Sequence, residues 1–137
     1  MTDMNDFNAQ IIAEFRANHG VVGGPFEGAP LLLLHSTGAK SGQERVSPVM
    51  FLADGERWLV FASKAGAPDN PDWYHNLLAN PEASIEVGDD TVAVVATELT
   101  GDERTEKYAK QAELFPGFAE YQAKTTRVIP VVALARA

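Results

Sequence analysis

Two turn signals constrain this chain more than anything else in it: Asp54-Gly55 and Gly88-Asp89-Asp90, each set between arms of strand-forming residues. A two-residue Asp-Gly connection marks a hairpin because glycine accepts the positive φ that such turns demand. Arg45 to Ala53 and Glu56 to Ser63 flank the first turn, while Ala83 to Val87 and Thr91 to Leu99, rich in Val, Ile and Thr, flank the second. Two further apolar runs, Ala29 to Ser36 and Val128 to Ala135, have the length of buried strands. No strand-helix-strand rhythm of a parallel sheet appears, so the expected fold is α+β and mainly β, an antiparallel barrel or curled sheet of about six strands with peripheral helices. Pro48 falls inside the second run and lacks a ladder donor, which places it at an edge, a bulge or a bend around something.

Helical spacing accounts for most of the remainder. Phe7, Ile11, Ile12 and Phe15 recur at intervals of three and four, which predicts an amphipathic helix over 4–19 stopped by His19-Gly20. The glycine-rich stretch Gly20 to Gly28, with Pro25, reads as a loop, and the barrel is expected over about 29–136 of one domain spanning 1–137. Asn70-Pro71 supplies an N-cap and a first helical position for a short helix ended by Asn80-Pro81. Thr100 and Glu103 have capping-box spacing, and Tyr108, Ala112 and Phe115 form the apolar stripe that follows. Pro116-Gly117 interrupts that helix, and Phe118 to Thr125 resumes it.

Composition narrows the function. Eleven Lys and Arg against nineteen Asp and Glu leave a net charge of -8, which opposes phosphate-backbone binding, so nucleic acid is not an expected partner. There is no cysteine, which excludes disulfides, thiolate nucleophiles and Cys-ligated metals. His19, His35 and His75 stand apart from one another without ligand spacing, so no metal site is expected. No apolar run approaches the ~20 residues of a membrane span, and the acidic residues of the N-terminus do not resemble a secretory signal, which leads us to expect a cytoplasmic protein. Gly38-Ala39-Lys40-Ser41 lacks the preceding glycines and the following helix of a phosphate-binding P-loop.

One charge anomaly remains. Ser36 to Ala67 holds four basic residues (Lys40, Arg45, Arg57, Lys64) against three acidic ones (Glu44, Asp54, Glu56), or +1, whereas the rest of the chain has seven against sixteen, or -9. Lys40, Arg45, the Ser41 hydroxyl and the glycine-flanked backbone suit phosphate or carboxylate oxygens, though the same pattern describes an ordinary solvated hairpin loop. Ala62-Ser63-Lys64-Ala65-Gly66-Ala67 leads into a helix start and is small enough to admit a planar ring, or is a plain strand-to-helix connection. Trp73, Tyr74 and His75, like Phe115, Phe118 and Tyr121, suit either the core or the wall of a pocket.

Taken in order, four stretches resemble the deazaflavin-dependent nitroreductase family, oxidoreductases that use coenzyme F420 on a split β-barrel. They are Pro30-Leu-Leu-Leu-Leu-His-Ser-Thr-Gly-Ala-Lys-Ser-Gly42, Arg45-Val-Ser-Pro48, Ala62-Ser-Lys-Ala-Gly-Ala-Pro68 and Asn70-Pro-Asp-Trp-Tyr-His-Asn-Leu-Leu-Ala-Asn-Pro81, within a likeness running from about Pro30 to Ala135. The resemblance implies that Ala39, Lys40, Ser41 and Arg45 hold the phosphate and glutamyl tail of the coenzyme. It further implies that Val46, Ser47, Pro48, Val49 and Met50 run beside the deazaflavin, and that Ala62, Ser63, Lys64, Asp72, Trp73, Tyr74, His75 and Asn76 complete the site. Hydride transfer needs no protein nucleophile, and Ser63 and Tyr121 are the hydroxyls available to supply a proton. Where nitroreductases of this kind carry tyrosines on the substrate side, this chain has Met50, Phe115 and Phe118 and keeps only Tyr121, which favours an apolar quinone, enone or lipid-like acceptor over a nitroimidazole. FMN in place of F420, a non-catalytic carrier of coenzyme or apolar ligand, and a homodimer are the open alternatives and additions, since split-barrel proteins also bind FMN and often dimerise.

Overall fold

The computed structural model describes residues 4–23 and 30–137, in which six strands close into a barrel. Strands β1 (Leu31–Thr37), β2 (Glu44–Asp54), β3 (Arg57–Phe61), β4 (Glu82–Val87), β5 (Asp90–Leu99) and β6 (Val131–Arg136) are antiparallel, in the order β1-β2-β3-β6-β5-β4. The circle shuts where Leu33, Leu34 and His35 of β1 pair with Glu86, Ile85 and Ser84 of β4. Closure pairs most of the sheet edges that would otherwise invite association, the first part of β2 being the exception. Both turns signalled by the sequence are present, with φ of 63° at Gly55 and 58° at Gly88. The second is one residue tighter than the sequence suggested, because Asp90 already pairs with Val87.

Helices α1 (Met4–Ala17), α2 (Asp72–Ala79), α3 (Gly101–Leu114) and α4 (Gly117–Lys124), with a 3-10 turn at Lys64–Gly66, pack around the strands. Strand residues alternate between two buried sides. Leu32 and Leu34 join Val60, Ile85, Val94 and Leu134 in one core, into which α2 inserts Trp73, Tyr74 and Leu77. Leu31 and Leu33 turn the other way, onto Ile11 and Phe15 of α1. Leu59 and Phe61 meet Tyr108 of α3 and Phe118 of α4. Four consecutive leucines are therefore a strand covered on both faces. No helix among the described residues is long and apolar enough to cross a membrane.

Several local expectations shift. Helix α1 ends at Ala17 rather than residue 19; the side chain of Phe7 and the segment 24–29, including Ala29, lie outside the described residues. Pro71, not Asn70, occupies the N-cap of α2, because the Asn70 side-chain oxygen accepts a 2.7 Å hydrogen bond from Arg127. Thr100 is the N-cap of α3 but makes no side-chain capping bond, and Glu103 is drawn instead to the Arg57 guanidinium at 2.9 Å. Strand β6 starts at Val131 rather than Val128, since Pro130 offers no ladder donor and the Ile129 amide is engaged by Gln122.

The feature that makes a site is in β2. Its first part, Glu44 to Met50, pairs with β1, whereas only Phe51 to Asp54 pair with β3. The outer edge of Glu44–Met50 thus has no strand beside it, and Pro48 is tolerated there because that edge needs no donor.

Candidate active site

Two clefts adjoin along this open edge. The larger, about 800 Å³, is walled by Gly38 to Ser41, Glu44 to Ser47, and Asp72, Trp73, His75 and Asn76 of α2 and its approach. The smaller, about 200 Å³, is walled by Pro48, Val49 and Met50, by Phe61, Ser63, Lys64 and Pro71, and by Phe118 and Tyr121 of α4. Trp73 belongs to both, and β2 runs continuously from one to the other.

The loop between β1 and β2 is shaped from within. The Gly38 amide donates to the Gln43 carbonyl at 2.8 Å, and Gly42, at φ 71°, returns its amide to the Gly38 carbonyl at 2.9 Å. The Gln43 amide donates to the Ser41 hydroxyl at 3.2 Å, and a Cβ on Gly38 would lie 2.5 Å from that oxygen and 3.3 Å from the Gln43 carbonyl oxygen, so a side chain there would turn the hydroxyl away from the amide it caps. Buried Asn76 reaches across from α2, accepting from the Ala39 amide at 2.9 Å and donating to the Ser36 hydroxyl at 3.3 Å. Expected as a ligand contact, Asn76 lines the larger cleft and also holds the loop in place.

The positive island resolves into two pairs. Arg57 is neutralised by Asp54 and Glu103, which raise its pKa from the usual guanidinium value chiefly through the Glu103 bond. Lys64 is paired with Asp69 at 3.1 Å. Among the described residues Lys40 and Arg45 make no ion pair, and both face the larger cleft. Of the carboxylates there, Glu44 lies 3.2 Å from the His35 ring, and Asp72 sits in the first turn of α2, where the helix dipole favours it.

The remaining predicted residues divide. Met50, Phe118, Tyr121, Ser63 and Lys64 meet in the smaller cleft with Pro48 and Val49. Phe118 is held by edge contacts with Phe61 and Tyr121, centroids 5.7 and 5.3 Å apart. Ala62, Tyr74 and Phe115 are outside both clefts. Ala62 is fully buried in the barrel core. The Tyr74 hydroxyl donates to Glu98 at 2.6 Å, and burial, helped by Glu98, pushes its pKa up to about 12, so it is a phenol already committed to a partner. Phe115 packs into the outer core beside Ala112. Sequence reasoning missed Arg127, whose side chain fastens the wall that carries Ser63, because a lone arginine in Thr-Thr-Arg carries no local signal.

The model of the F420H2-dependent quinone reductase family matches residues 9–136. The chain belongs to that family. Its coenzyme is F420, and this family member is an F420-dependent reductase. An F420H2-dependent quinone reductase of Mycobacterium tuberculosis is 39% identical over 130 residues, covering 90% of this chain and 86% of the relative. A solved F420H2-dependent reductase matches with a TM-score of 0.70 at 42% identity, over 77% of this chain and 93% of its own. A second solved structure, described as a domain-swapped dimer, matches with a TM-score of 0.72 at 38% identity, over 92% of each chain. The clefts of this quinone reductase family member fit the coenzyme: Lys40 and Arg45, without ion pairs among the described residues, border the roomier one, and the one beyond Trp73 sets Pro48, Val49, Met50 and Phe118, surfaces a flat ring can lie on, beside Ser63, Lys64 and Tyr121.

Proposed function

We propose that this protein reduces quinones with F420H2, and that the two clefts divide the work. The observation that carries the reading is their continuity: a wall with two unpaired cations passes along β2, past Trp73, into an apolar cleft. Lys40, Ser41 and Arg45 hold the phosphate and glutamyl tail, and Val46 to Met50 flank the deazaflavin, with Trp73 as its aromatic wall. Reduced F420 supplies a hydride. Met50 and Phe118 exclude water from the acceptor, and the Ser63 and Tyr121 hydroxyls are placed to deliver the proton that a quinone takes up with a hydride. The polar groups of the lining are the Ser63 and Tyr121 hydroxyls and Lys64, whose ammonium is taken by Asp69; with so few free donors the cleft favours quinones and other apolar acceptors such as enones over nitroaromatics, since each missing hydrogen bond is worth about 1 kcal/mol. The protein acts as a homodimer, in keeping with the relative solved as a domain-swapped dimer.

A fluorescence titration with F420 and with FMN, followed by anaerobic reduction of a quinone and a nitroaromatic, tests the proposal. F420 should bind more tightly and with stronger salt dependence than FMN, because its tail carries extra carboxylates. Tighter FMN binding, or faster turnover of the nitroaromatic, would defeat it.

A further inference from the structure

The guanidinium of Arg127 donates to four neutral oxygens: the Ala67 carbonyl at 3.0 Å from Nε, the Ala62 carbonyl at 3.1 Å and the Asn70 side chain at 2.7 Å from Nη1, and the Ser63 carbonyl at 2.8 Å from Nη2. No carboxylate pairs with it among the described residues. One side chain thereby gathers the whole segment 62–70, which carries Ser63 and Lys64 into the smaller cleft. A planar fork with fixed donor directions does this; an ammonium, with its donors converging on one point, does not.

The other end of Arg127 is tied to the opposite wall. Its carbonyl accepts from the Gln122 side chain of α4 at 2.7 Å, and Gln122 in turn takes Arg104 at 2.6 Å. The gathered segment also presses directly on α4: a Cβ on Gly66, which has φ 81°, would stand 2.9 Å from the Tyr121 carbonyl oxygen and 3.2 Å from its Cα. Tyr121 and Phe118, on that same helix, form the facing wall of the cleft. Lys64 stands at φ 46°, a conformation a non-glycine residue holds only where its surroundings impose it.

We propose that Arg127 is a positioning residue for hydride transfer, fixing the spacing between the Ser63–Lys64 wall and the Phe118–Tyr121 wall. This rests on the quinone reductase reading of the smaller cleft. Arg127 touches no reacting atom; it sets the width within which the reacting groups must meet, and misplacement of about 1 Å costs up to roughly 100-fold in rate.

Two variants test it, Arg127→Lys, which keeps the charge and loses the fork, and Asn70→Ala, which removes one acceptor and leaves the arginine. Amide hydrogen exchange in the coenzyme-free protein should accelerate about tenfold across 63–70 in Arg127→Lys and less in Asn70→Ala. The single-turnover rate of quinone reduction at saturating F420H2 should fall about 10- to 100-fold in Arg127→Lys and roughly two- to fivefold in Asn70→Ala, with the F420 dissociation constant changed by less than about threefold. Exchange and rate within about twofold of the parent in folded Arg127→Lys would overturn the proposal. So would a rate loss that merely tracks weaker F420 binding. Should Arg127→Lys not fold, Asn70→Ala decides, and parental exchange and rate there overturn it. A parent protein that fails to reduce quinone defeats the functional reading instead, while the exchange measurement still reports on the clamp.

Discussion

Replacing Glu86 by Gln removes the carboxylate that stitches α1 to the closing seam of the barrel. Glu86 takes a forked pair of bonds from Arg16, at 3.1 and 2.7 Å, and a 2.6 Å bond from the His35 ring, next to the short β1–β4 ladder. The Arg16 bond first, and His35 after it, hold the Glu86 pKa at about 2 against an ordinary 4.5, in spite of burial. A carboxylate whose folded pKa is depressed stabilises the protein fully above its unfolded pKa and loses that contribution as pH falls through the folded value. At about 1.4 kcal/mol per pH unit, the gap from 4.5 to about 2 corresponds to roughly 3 kcal/mol. The Arg16 side chain is 51% exposed, and solvent screening reduces the expected net loss to about 1–2 kcal/mol. Urea unfolding of Glu86→Gln beside the parent, at pH 7 and in steps down to pH 2.5, is the assay. The variant should be less stable by about 1–2 kcal/mol at pH 7, with the difference shrinking below about pH 4.5 as the parent's carboxylate protonates. Equal stability at pH 7, or a difference that stays constant into acid, would refute the reasoning.

Other consequences are open to measurement. Lys40→Gln and Arg45→Gln should each weaken F420 binding about tenfold at low salt, the worth of one charge-assisted contact, and flatten its dependence on ionic strength; affinity untouched at every salt concentration removes the loop from the coenzyme site. Ser63→Ala and Tyr121→Phe should each slow single-turnover quinone reduction about tenfold or more, and unchanged rates in both would exclude these hydroxyls from proton delivery. Gln111 is fully buried on α3, and neither polar atom of its side chain is hydrogen-bonded among the described residues, so Gln111→Met should stabilise the fold by about 1–3 kcal/mol, read as a higher urea midpoint; a lower midpoint would refute this.

Much of the fold is written locally. Asp54-Gly55 and Gly88-Asp89 state hairpins in the residues themselves, because glycine takes up the positive φ of a tight turn at little cost wherever it stands. The alternation and length of the strands follow from the same short-range chemistry, as do the helix interruption at Pro116-Gly117 and the basic loop around Lys40 and Arg45. The order of the four motif stretches is enough to point to F420 chemistry.

What the chain does with those pieces was decided by contacts between distant residues. Tyr74 looked available for a ligand, yet Glu98, 24 residues away, takes its hydroxyl. Arg57 and Lys64 add to a positive patch in the sequence, yet Asp54 and Glu103 neutralise the first and Asp69 the second. Phe115 and Phe118 are three residues apart, but Phe115 caps the end of α3 and only Phe118, on α4, reaches a cleft, because β2 changes strand partner at Phe51 and opens the barrel beside α4. A sequence fixes the conformational preference and charge of each residue; which charges remain free, and which faces stay open, depend on what the closed barrel brings within a few ångströms, and that is a property of the whole fold.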